Sequence, residues 1–173
     1  MLVNNGARHA QLPPDARSIF LGPSVDTEPN GFTGQLATGD DLDDIDDEDG
    51  VTILSLFNTQ EPTASIRVNA SGFGFVDAWI DWNRDLDFSD VGEQILTNRQ
   101  VAAGDTNFSF TMPSTASVGV SYLRVRLSTL GNLSAVGVGV GGEVEDYRIT
   151  IVRNSRPVAN PDSYTLDEDT SLS

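Results

Sequence analysis

Apolar and polar residues alternate strictly over several short windows of the chain. Ile66, Val68 and Ala70 stand against Arg67 and Asn69, and Leu123, Val125 and Leu127 stand against Tyr122, Arg124 and Arg126. A period of two marks a strand with one face buried and the other in water. Phe108, Phe110 and Met112 repeat the pattern, as do Tyr147, Ile149 and Ile151. Val51 to Phe57 and Phe73 to Trp82 are apolar on both parities, which predicts central strands. No apolar stripe recurs at i, i+3, i+4 and i+7 over a long window, so helix should be scarce. Turn-forming Gly, Asn, Asp and Pro separate the apolar windows.

The predicted strands run from Arg17 to Leu21, Val51 to Phe57, Thr63 to Ala70, Gly74 to Trp82, Glu93 to Thr97, Asp105 to Met112, Val120 to Ser128 and Glu145 to Arg153. Such a set makes an all-β chain, an antiparallel β-sandwich of jelly-roll or Ig-like kind with long acidic loops. Gly131 to Glu143 is Gly-rich and breaks the rhythm; it reads as a long mobile loop or as an extra edge strand. From Arg156 proline punctuation sets in, followed by an extended piece from Ser163 to Leu166. The expected division is a sandwich over residues 1–154, then a linker and extended strand over 155–173. That last strand would open a following repeat or be donated to a neighbour.

Composition narrows the function. The chain has 173 residues, a formal net charge of -16 and a sequence pI near 4.1. A polyanion is repelled by nucleic acid and by anionic lipid, so a cation or a basic partner fits better. No cysteine is present to cross-link the fold, and calcium can take that part in a secreted acidic chain. No apolar run approaches the roughly 20 residues needed to span a bilayer. Met1 to Leu12 lacks the basic end and apolar stretch of a signal peptide, and the chain reads as a piece of something longer.

Carboxylates are crowded into three clusters: GDDLDDIDDEDG from Gly39 to Gly50, DWNRDLDFSD from Asp81 to Asp90, and GEVEDY from Gly142 to Tyr147. In the second, Asp81, Asn83, Asp85 and Asp87 fall at every second position, the spacing by which a calcium loop curls oxygens around one ion. The match to an EF-hand loop is partial. Leu86 stands where that loop needs glycine, Glu93 comes one position late for the closing ligand, and no helices flank it. The plain alternative is a solvated acidic turn. In the first cluster Asp40, Asp41, Asp46, Asp47 and Asp49 are interrupted by Leu42 and Ile45 and run into a buried strand, which favours ordering by metal over a disordered charge block. Asp26 and Glu28 could join that site.

If every connection reverses the chain, Asp46, Asp47 and Asp49 meet Glu143, Glu145 and Asp146 at one end of the sandwich, while Asp81 to Asp87 make a separate site at the other. Arg124 and Arg126 are an alternative counter-charge, as exposed salt bridges. Catalysis is the poorer reading: carboxylates this numerous do not single out an acid and a nucleophile. His9, the only histidine, has no nucleophile motif near it and reads as structural. Trp79 and Trp82 project to opposite faces of one strand, so at most one packs in the core. The other would be a sugar platform, or a cover for the sheet.

The runs ATGDDLDDIDDEDGV, AWIDWNRDLDFSDVGEQI and GEVEDYRITI, with GARH at Gly6 to His9 and LGPSVDTEPNG at Leu21 to Gly31, resemble the GEVED domain of large secreted and surface proteins of bacteria. The resemblance covers Asn5 to Val152 and implies a β-sandwich without catalytic duty, in long extracellular chains. It places acidic motifs on Asp26, Glu28, Asp40, Asp41, Asp46, Asp47, Asp49, Asp81, Asn83, Asp85, Asp87, Glu93, Glu143, Glu145 and Asp146. Two departures stand out: Leu86 replaces a usual glycine, and the usual Asp-Ala-Pro block before GARH is missing. The stretch PVANPDSYTLDEDTSL is similar to the opening strand of a cadherin-like repeat.

The expectation is therefore a non-enzymatic, Ca2+-binding structural module, secreted or on the cell surface, in adhesion or matrix. Its partners would be neighbouring domains or identical subunits through strand pairing, with filament assembly by strand donation through Pro157 to Ser173; glycans are further candidate partners, and nucleic acid and membrane insertion are not expected. The alternative is a carbohydrate-binding module appended to a secreted enzyme, which calls for an exposed Trp79 or Trp82 in a shallow groove.

Overall fold

Thr63–Ala70 alternates in space as it does in sequence: Ala64, Ile66, Val68 and Ala70 are buried, and the residues between them face outward. The computed structural model describes residues 7–10, 19–23 and 49–154. Among these the strands are β1 (Arg8–Ala10), β2 (Val51–Ile53), β3 (Phe57–Asn58), β4 (Thr63–Ala70), β5 (Gly74–Ile80), β6 (Gln94–Val101), β7 (Gly104–Thr111), β8 (Gly119–Ser128), β9 (Val138–Val140) and β10 (Gly142–Val152). They form a five-stranded sheet in the order β3-β10-β8-β5-β6, a three-stranded sheet β2-β4-β7 and a pair β1-β9. Ile66, Val68, Phe108 and Phe110 of the smaller sheet share one core with Val76, Ile80, Leu123, Val125, Ile149 and Ile151 of the larger. Two sheets closing on one apolar layer make the expected sandwich.

Two features depart from expectation. The pairings β1-β9 and β3-β10 are parallel, so the sandwich is not purely antiparallel. Val51 to Phe57 is not one central strand. It leaves the smaller sheet after Ile53 and enters the larger at Phe57, at an edge each time. Val51 and Phe57, on one parity, serve the core from different sheets, while Ile53, Leu54 and Leu56 between them are exposed, so the second apolar parity is not a second buried face. The strand expected from Arg17 to Leu21 is described only from Ile19, and Leu21 makes a single bridge to Ala70. Residues 155–173 lie outside the described residues, and so does the expected donor strand.

β8 departs further. Its outward residues Arg124 and Arg126 were expected in water, yet they are 2% and 0% exposed. The Gly-rich stretch explains this, because residues 129–141 return over the outer face as a strap containing β9. Arg126 donates to the carbonyls of Ser134 at 2.6 Å, Val136 at 3.3 Å and Gly137 at 3.1 Å, and Arg124 donates to that of Ala135 at 3.0 Å. Burial pushes the Arg126 guanidinium down to about 10, still cationic at neutral pH. Arg124 is paired through two nitrogens with Asp146, its register partner on β10. Arg124–Asp146 is thus a buried ion pair rather than a loose surface one, and Arg126 is held by main-chain carbonyls.

Asp77 on β5, fully buried, lies on the same face. One oxygen accepts the N–H of Asn98 at 2.7 Å and the other that of Leu133 in the strap at 3.0 Å. Asn98 sits at a bulge in the β5-β6 pairing, with φ of 48°, where its N–H leaves the ladder. Asp77→Ala strands both donors under the strap and should lower the unfolding free energy by about 2–4 kcal/mol in urea melts, where Asp105→Ala on the exposed face of β7 changes it by well under about 1 kcal/mol.

Candidate metal centre

β5 ends at Ile80, and the chain turns sharply through residues 81–93 before β6. Asp81 anchors the turn. Its Oδ1 accepts the N–H groups of Arg84 at 2.6 Å and Asp85 at 3.2 Å, and its Oδ2 accepts that of Leu86 at 3.0 Å. The alternate acids then repeat a smaller turn: Asn83 Oδ1 accepts from Asp85 N, Asp85 Oδ1 from Asp87 N, and Asp87 Oδ1 from Ser89 N. At Asp85 and Asp87 the turn takes one carboxylate oxygen and leaves the other to face its neighbours, whereas Asn83 turns its amide nitrogen to them and donates to Asp85 Oδ2 at 2.9 Å and to Asp90 Oδ2. Arg84 and Leu86 hold left-handed backbone, with φ of 67° and 74°. Leu86 therefore adopts the conformation for which glycine is the usual choice, and the loop is tight without it. Arg84 ties the loop down by donating to the carbonyls of Val118 and Val120.

Glu93 closes the turn from the far side. Its two oxygens accept the N–H groups of Trp82 at 3.2 Å and Asp90 at 3.1 Å. Asp81 is 1% exposed and Glu93 2%, so both carboxylates are withdrawn from water. Burial, with Asp81 and Asp85 adding like charge, pushes the Glu93 carboxyl up to about 7 against the pull of its backbone donors. Asp81, Asp85 and Glu93 each bring one oxygen within 4.8 Å of the others, and Asp85, Asp87 and Asp90 do the same. Asp85 is common to both groups. Asp90 was visible in the sequence cluster but not singled out, because it breaks the every-second-residue spacing; the turn at Gly92 brings it in.

The GEVEDY acids divide between two faces of β10. Glu143 accepts the N–H of Leu21 at 2.6 Å. Glu145 accepts the N–H of Gly50 at 3.2 Å and the hydroxyl of Tyr147 at 2.8 Å, and that hydroxyl in turn accepts from Val51 N. Asp49 lies against Gly22, where an added Cβ would stand 1.7 Å from its Oδ1. Burial, then the charges of Glu143 and Asp49, push the Glu145 carboxyl up to about 8. Asp49 and Glu143 act on Glu145 through their charge, but among the described residues the groups of carboxylate oxygens within 4.8 Å of one another all lie at 81–93, and Asp146 points through the opposite face to Arg124. Asp26, Glu28, Asp40, Asp41, Asp46 and Asp47 lie outside the described residues. Asp81 is level with Tyr122 and Arg148, two strands across from β10 and well along it from Glu143, so the two acidic groups are distinct.

The donor set at 81–93 consists entirely of carboxylate and amide oxygens from adjacent residues around a sharp turn, which suits a hard divalent cation that accepts several oxygens at flexible angles. Trp79 and Trp82 are both 4% exposed. Trp82 packs in the core beside Phe57 and donates its indole N–H to Gly92 O. Neither indole offers an open platform to a sugar.

Residues 75–150 match the GEVED domain. The match runs from β5 into β10 and takes in the whole acidic turn and the GEVEDY strand. No curated protein and no solved structure matches the chain. Among the described residues no helix is long and apolar enough to cross a membrane.

The geometry of this segment sets two expectations. Leu86→Gly removes the left-handed penalty at a half-exposed side chain and should raise stability by about 1 kcal/mol in chemical denaturation. Glu93 and Glu145 both bind protons more tightly folded than at their ordinary value of 4.5. The folded state then holds more protons than the unfolded one between pH 4.5 and about 8, so metal-free stability falls as pH rises through that window. Melts in chelator at stepped pH should show the decline, and Glu145→Gln should flatten it.

Proposed function

We propose that this chain is a non-catalytic structural β-sandwich module of an extracellular bacterial protein, in adhesion or matrix, whose turn at 81–93 binds Ca2+. The observation that carries the proposal is the convergence of Asp81, Asp85 and Glu93 with two of the three carboxylates buried. Like charges brought this close out of water cost free energy that a bound divalent cation offsets. Asp81, Asp85 and Glu93 would hold the ion, with Asn83, Asp87 and Asp90 around it. The ion supplies positive charge, and the chain supplies a turn already fixed by backbone N–H groups. A structural role also agrees with how the acids are engaged among the described residues: Asp77, Asp81, Asp85, Asp87, Glu93, Glu143 and Glu145 hold main-chain donors and Asp146 holds Arg124, which makes them builders of the fold. Association with neighbouring domains or identical subunits would proceed through strand pairing, for which β7, an edge among the described residues, presents eight residues without a bulge.

Calcium at a hundredfold excess over its Kd adds about 2.7 kcal/mol of stability, so chelation should lower Tm by roughly 5–10 °C. Asp81→Ala and Asp85→Ala should remove most of the calcium-dependent part, and Asp15→Ala none of it. Differential scanning calorimetry with and without calcium decides the matter; superimposed melts would refute the proposal.

A further inference from the structure

Every side chain from 83 to 92 is exposed except that of Phe88. Phe88 folds back from the acidic turn onto the outer face of the large sheet, where the Arg124 guanidinium lies 5.1 Å from its ring centroid. That guanidinium is already engaged on two other sides. It holds both oxygens of Asp146 on β10 and the carbonyl of Ala135 in the strap. Three segments that are distant in sequence therefore meet at one side chain: the acidic turn, the GEVEDY strand and the Gly-rich strap.

The strap depends on such fastenings. Its sequence, TLGNLSAVGVGVG, contributes few large side chains to pack, with Leu130, Val136, Val138 and Val140 exposed. It is held through its main chain, by Arg124 and Arg126 at its carbonyls and by Asp77 and Ser128 at the N–H groups of Leu133 and Gly131. Guanidinium hydrogen bonds depend on geometry, so the position of Arg124 sets how well Ala135 is held. Phe88 limits that position from above. Its own backbone is fixed by Asp87, whose Oδ1 accepts from both the N–H and the hydroxyl of Ser89.

We propose that the acidic turn and the strap form one conformational unit joined by the Phe88–Arg124 contact, so that ordering of the turn tightens the strap and the β1 strand paired to β9. As a route for regulation by calcium the proposal rests on the metal reading above; as a mechanical link it does not. A cation that rigidifies Asp85 and Asp87 would fix Phe88 over Arg124, and the strap would become a reporter of site occupancy.

Hydrogen–deuterium exchange of the full chain tests this, with peptides covering 130–140 compared against β4 as internal reference. In chelator, Phe88→Ala should speed exchange in the strap by about threefold or more relative to β4, and Val91→Ala, an exposed change in the same turn, should not. Equal strap exchange in Phe88→Ala and the parent overturns the link, whatever calcium does. With calcium, the parent should show slowed exchange in both 81–93 and the strap, and Phe88→Ala in 81–93 alone. Protection confined to 81–93 in the parent also overturns the proposal. If calcium protects neither segment, the metal reading fails and the chelator comparison alone decides the link.

Discussion

Asp81 and Glu93 face each other and Asp85 from positions almost sealed from water, and the turn between β5 and β6 exists only while those oxygens are kept close together. A carboxylate in such a place needs compensation, and the chain supplies a first instalment through backbone N–H groups. Asp81 alone accepts three of them. Hydrogen bonds of this kind favour the charged form but do not cancel repulsion between neighbours, and Glu93 keeps a raised proton affinity despite two backbone donors. A divalent cation fits the remaining deficit in sign and in its preference for oxygen.

The same problem is solved differently elsewhere in the fold. Asp146 is neutralised by Arg124 in a buried two-point pair, and Asp77 by N–H groups that a bulge and a strap leave without ladder partners. Glu143 and Glu145 take the N–H groups of Leu21 and Gly50, and so attach segments far apart in sequence to the start of β10. The high acid content is thus not a uniform solvated coat. Three kinds of counter-group, amide, guanidinium and a proposed metal ion, divide the acids among distinct tasks.

Much of the fold could be read from alternation. β4 runs from Thr63 to Ala70 as the pattern indicated, the long strands β7, β8 and β10 fall where the period-two windows lie, and β5 lies inside the run that is apolar on both parities, between two neighbours as a central strand should. Period two fails where the environment of a face is set by distant chain. Arg124 and Arg126 look solvent-facing until a strap ten residues later covers them, and nothing local in YLRVRLS announces that cover. Val51 to Phe57 looks doubly buried because Leu54 and Leu56 are apolar, yet they are exposed where the run crosses from one sheet to the other. At the site, the spacing of Asp81, Asn83, Asp85 and Asp87 was legible because turns of this kind repeat locally. Asp90 and Asp77 were not, since their roles depend on the left-handed turn at Gly92 and on a bulge in β6. Leu86 shows that a missing glycine does not prevent a left-handed residue when Asp81 grips its N–H.

Terbium luminescence reads a cation at the acidic turn, because Trp82 lies at the base of that turn and can sensitise a lanthanide held there. Terbium added to the metal-free chain should give saturable emission on indole excitation. Calcium should displace it, and Asp85→Ala should abolish it. Emission no stronger than that of free terbium, or emission that calcium leaves unchanged, would contradict the account and leave the turn as an acidic element held by its backbone alone.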